Sequence, residues 1–163
     1  MRKKVAIAYR SPSDCLTSSH QGLGICAINT CKTLNQHRIH AIVWPVINVG
    51  TIHENLKKDT AVTHVVIQAP WVPTTSMGIL AMQFPHVQFA VNCHSNVGFL
   101  QTEPQAITLM LDLLTLEQQS TNIHCSGNSK PFVAWIKDAY QAPCTYLPNL
   151  YYVDECASTP RPI

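Results

Sequence analysis

Three short stretches hold the side chains that could do chemistry. "FAVNCHSNVG" (89–98) ends an apolar run in His94 and Ser95, then turns away through Gly98. "SSHQGLG" (18–24) sets His20 just before Gly22 and Gly24, and "SGNSK" (126–130) places Ser126 and Ser129 ahead of an amphipathic segment. A histidine at the mouth of a cleft can position a substrate or stabilise charge as a bond breaks. Glycines allow close backbone approach to a ligand, and a helix start offers free N–H groups to an anion.

Several other chemistries find no support. Cys93-His94 and His124-Cys125 are adjacent pairs, and successive strand residues point to opposite faces, so neither pair chelates one ion. No C-x-x-C or H-x-x-x-H spacing exists, and no metal is expected. "GLGICA" (22–27) matches a dinucleotide fingerprint in form only. About a dozen residues separate it from the first strand, and "IVWPV" carries no acid at the end of the second. No G-x-S-x-G elbow is present either. No cofactor is expected.

The elements that must position these residues alternate. Apolar runs at 5–9, 41–46, 64–69, 87–92, 122–126 and 144–147 lack the alternation of half-exposed strands, so they read as strands covered on both faces. Between them, Ala27, Cys31 and Leu34 share a helical face, as do Met77, Leu80, Ala81 and Phe84. The same holds for Ile107, Met110, Leu111 and Leu114, and for Phe132, Ile136 and Ala139. Thr51 with Glu54 and Thr102 with Gln105 fit capping boxes, and Ser129 before Pro131 fits a capped first turn. The pattern predicts an α/β, doubly wound, mainly parallel Rossmann-like sheet of about six strands with helices on both faces. By analogy with such folds the expected strand order is 3-2-1-4-5-6. Ligands would then bind beyond the strands' carboxyl ends, where the three stretches fall.

Composition narrows the setting. The 163 residues suit one domain, expected over 1–153, and "DECASTPRPI" (154–163) reads as a linker or tail towards a second domain. Charged residues are only 12 %, against ~25 % in typical soluble domains. A net charge of +2 gives no sign of nucleic-acid binding. No segment approaches the ~20 apolar residues of a membrane span. No secretory signal follows "MRKK", so the seven cysteines read as reduced thiols and the expected location is cytoplasmic.

In order and spacing, residues 5–154 resemble the N-terminal, acceptor-side domain of GT-B-fold, nucleotide-sugar-dependent glycosyltransferases of the retaining type. The resemblance rests on "SSHQGLGICAINTCKTL", "VQFAVNCHSN", "IHCSGNSKPFVAWI" and "CTYLPNLYYVD" taken in sequence. It implies that His94 reaches into the cleft beside the donor sugar as the catalytic histidine. It also implies that His20, Gly22, Gly24, Ser95, Ser126 and Asn149 line the acceptor or donor sites. The implied partners are a nucleotide-sugar donor, a sugar or glycan acceptor, and a second Rossmann-like domain. The chain departs from the family in Leu23, which separates its glycines, and in Leu150 after Pro148-Asn149. The family's donor-binding E-x7-E pair is absent, so the isolated chain is expected to be inactive. The competing expectation is a stand-alone Rossmann-like binding or protein-interaction module without catalysis.

Overall fold

The computed structural model describes residues 3–11, 18–100, 102 and 104–153. Six strands alternate with helices in the order β1 (Lys4–Arg10), α1 (Ser18–Gln36), β2 (His40–Val46), α2 (Val49–Lys58), β3 (His64–Gln68), α3 (Thr74–Gln83) and β4 (Gln88–Cys93). A short α4 (Val97–Leu100) and α5 (Pro104–Gln119) then lead to β5 (Ile123–Gly127), α6 (Lys130–Tyr140) and β6 (Thr145–Tyr146). Every strand pair is parallel, as the unalternating apolar runs require.

The strand order is β2-β1-β3-β4-β5-β6, not the expected 3-2-1-4-5-6. Pro45 supplies the physical reason. It has no N–H to donate to a second neighbour, so the strand that holds it belongs at an edge. β2 pairs with β1 alone, Pro45 opposite Tyr9, and the connection from β2 passes β1 to lay β3 on its other side. The winding therefore reverses between β1 and β3. Right-handed crossovers then put α1 on one face of the sheet and α2, α3, α5 and α6 on the other.

The face under the four helices is the core. Ala6, Ala8, Val65, Ile67, Phe89, Val91, Ile123 and Cys125 stand in register across it, and all are buried. α6 seats on β5 through Phe132, whose ring lies where Gly127 has no side chain. A Cβ at Gly127 would come within 2.8 Å of Phe132 Cε1. Gly127→Ala is thus expected to cost about 1–3 kcal/mol through overpacking, read as a fall of several degrees in melting temperature.

On the opposite face α1 lies against Tyr9, with the Gly24 position 3.1 Å from its ring. Beyond α1 no described helix covers this face. Val5, Val66 and Ala90 are only half-buried beneath a trough of about 520 Å³. The segment after β6 runs over this face from the carboxyl end of β4 towards α1. Asn92 Nδ2 donates to Leu147 O at 3.3 Å, and the Tyr152 ring lies 4.9 Å from Lys32 Nζ of α1.

Helix starts follow the capping signals in part. Ser129 caps α6 as expected, accepting from Phe132 N at 3.3 Å. For α2 the cap is Asn48, whose Oδ1 accepts from Thr51 N at 3.2 Å, so the helix starts before the Thr51–Glu54 box. No described helix is long and apolar enough to cross a membrane. Residues 154–163, read as a linker, lie outside the described residues.

Candidate functional site at the carboxyl edge of the sheet

The strands' carboxyl ends place a row of side chains on the α1 face. Tyr9, Gln68, Asn92 and Ser126 are successive register partners across β1, β3, β4 and β5. Strand alternation carries His94 to the same face, two residues beyond Asn92, while Cys93 turns into the core.

His94 is half-buried and held from both sides. Its Nε2 is hydrogen-bonded to Gln68 Oε1, and its Nδ1 lies 3.3 Å from Asn128 Nδ2. Gln68 presents a carbonyl oxygen and Asn128 an amide donor, so the ring is the neutral tautomer with its proton on Nε2. Burial holds its pKa below the usual imidazole range, in agreement with that state. At neutral pH the ring has no proton to give up from Nδ1. That nitrogen is an acceptor whose present bond is long, and a ligand hydroxyl could take the place of Asn128.

Asn92 adds a second acceptor. It is 3 % exposed, and its Oδ1 has no hydrogen-bond partner among the described residues. An unmatched buried amide oxygen costs roughly 1–3 kcal/mol, so it favours any donor that reaches it. Both acceptors belong to one strand end and suit a ligand rich in donors such as hydroxyls. A carboxylate, itself an acceptor, gains nothing comparable here.

The other sequence candidates divide. Ser126 is fully buried and donates to Val91 O at 2.9 Å, which ties β5 to β4. Ser95 follows His94, half-buried, and its carbonyl lies 3.9 Å from Cys93 Sγ. Asn149 is half-buried on the segment between the Leu147 and Tyr152 anchors, which brings it towards the same edge. Gly22 and Gly24 do not close a loop before the helix. α1 begins at Ser18, so both sit inside it. Gly24 packs closely on Tyr9, whose ring an added Cβ would meet at 3.1 Å, and Gly22 is exposed with open space beside it. His20 is in the first turn of α1, and its side chain lies outside the described residues.

Sequence reasoning missed Gln68 and Asn128, the residues that set the state of His94. The only available signal was the polar residue ending each of two apolar strands. Comparison with protein-family models, with curated proteins and with solved structures finds no match.

The lowered pKa makes folding pH-dependent. Unfolded, His94 takes up a proton at about pH 6.5; folded, it does so only at lower pH. Its contribution is therefore full above about pH 6.5 and is lost as the pH falls through the window below that value. His64 adds to the same trend, lowered by burial and then by Lys3 and His124. Glu117 is raised by burial and acts in the opposite sense at more acid pH, so the informative quantity is a difference between variants. Urea midpoints are expected to fall between about pH 7.5 and about pH 5.5, and to fall less in His94→Gln.

Proposed function

We propose that this chain is the acceptor-side half of a glycosyltransferase that uses a nucleotide-sugar donor, with a second Rossmann-like domain holding the nucleotide. The observation that carries the reading is His94, set as a neutral imidazole at the carboxyl edge of a parallel sheet. There, Gln68 orients it and Asn92 leaves a second acceptor beside it. In such a reaction an acceptor hydroxyl oxygen bonds to the donor's anomeric carbon as the bond to the nucleotide's phosphate breaks, and the hydroxyl proton passes to the departing phosphate oxygen. His94 would accept a hydrogen bond from a sugar hydroxyl at Nδ1 and hold the ring for that displacement. The acid–base role of a charged histidine does not fit a ring kept neutral. The glutamate pair of the resembling family is not among these residues, and in this reading the second domain would supply it.

The test is nucleotide release from UDP-, GDP- and ADP-sugars in the presence of mixed glycan acceptors. The polypeptide made from its full natural reading frame is compared with residues 1–163 alone. Release by the former and not by the latter is the expected result. Absence of release from every donor by the full polypeptide overturns the reading in favour of a non-catalytic binding module.

A further inference from the structure

The geometry points to a second binding site, on the other side of the sheet from His94. Its ligand is a phosphate-bearing ring compound, with the phosphate at Arg10 and the ring on Trp71. The strand order places the winding reversal between β1 and β3, and in open parallel sheets the crevice at such a reversal is where ligands lodge. Arg10 ends β1 and Trp71 follows β3, so the two residues come from the two sides of that crevice. By alternation Arg10 belongs with Ala6 and Ala8 on the four-helix face, whereas His94 belongs with Gln68 and Tyr9 on the α1 face. The two sites are therefore separate.

Two cavities, of about 630 Å³ and about 330 Å³, meet at this pair, and both are lined by Arg10 and Trp71. Each volume lies within the ~300–1,000 Å³ of small-molecule sites. Gln105 in the larger cavity, and Asn48 and Ser76 in the smaller, add polar groups beside the apolar walls. No described lining residue is acidic, and Arg10 has no ion-pair partner among the described residues. The first turns of α2, α3 and α5, which open into the cavities, hold no acidic residue to offset the guanidinium. An exposed guanidinium with no counter-charge among the described residues, set in a concave site, is matched by phosphate, which accepts its paired N–H groups.

Trp71 is placed with some force. Its Nε1 donates to Gln68 O at 3.1 Å and its backbone N to Ala69 O at 3.1 Å. The turn is made by Ala69 at φ 72°, a left-handed conformation costly for a residue with a Cβ. The indole is thus pinned in a half-buried position as a wall of both cavities, where a sugar or a nucleobase can stack on it.

The test uses residues 1–163, isotope-labelled, titrated with glucose 1-phosphate, UMP, inorganic phosphate and methyl glucoside. The expected result is saturable shifts of the Trp71 indole and Arg10 Nε signals with glucose 1-phosphate or UMP at millimolar concentration. The tighter of the two identifies the ring. Arg10→Gln and Trp71→Leu should each weaken that binding about tenfold, and His94→Gln should leave it unchanged. The result thus stands or falls apart from the transfer reaction. Unchanged affinity in Arg10→Gln, methyl glucoside or inorganic phosphate binding as tightly as both ring phosphates, or no saturable shift with either, would overturn the proposal.

Discussion

Under the proposed function, His94→Ala in the full polypeptide is expected to lower turnover by about two to three orders of magnitude, the usual effect of losing one preorganised polar group at the reacting centre. Stability is expected to fall too. Gln68 is 3 % exposed, and its Oε1 loses its partner when the imidazole goes, a cost of roughly 1–3 kcal/mol. Turnover must therefore be separated from folding. Gln68→Met removes the same hydrogen bond but keeps the imidazole. If His94 touches substrate, His94→Ala loses far more activity than Gln68→Met at matched loss of stability, measured by kcat alongside urea midpoints. Equal losses in the two variants would make His94 a structural partner of Gln68 and nothing more.

Phe132→Ala is expected to give the largest loss of stability, about 3–5 kcal/mol, because the ring is fully buried and seats α6 on β5. Against a total of ~5–15 kcal/mol for a domain of this kind, that removes a third or more. The contact with Gly127 makes a sharper prediction. Alanine at Gly127 is harmful only because the Phe132 ring stands in its way. Once Phe132→Ala has removed that ring, the added methyl enters the space it vacated. The double variant should thus be clearly less destabilised than the sum of the two single variants. Equilibrium urea unfolding of the four proteins checks this; strict additivity would mean that the two residues do not pack as described.

Much of the fold was legible in the sequence, and for local reasons. Short apolar runs bounded by turn residues marked the strands, although the α1 face of β3 and β4 proves only half-buried, and Ser129-Lys130-Pro131 marked a helix start. Even the edge position of β2 was written in Pro45, which cannot donate to a second strand. Local pattern also singled out His94, since a histidine followed by Ser95, Asn96 and Gly98 ends a strand wherever that strand lies in the sheet. What the sequence could not show was which strand would lie beside it. Gln68 stands 26 residues before His94 and Asn128 stands 34 after it. Arg10 and Trp71 meet only because the chain passes from β2 across β1 before laying down β3. The order of parallel strands is decided by crossovers packing their helices against the sheet as a whole. That choice of tertiary packing brought a neutral histidine onto one face with Asn92, and Arg10 together with a pinned indole on the other.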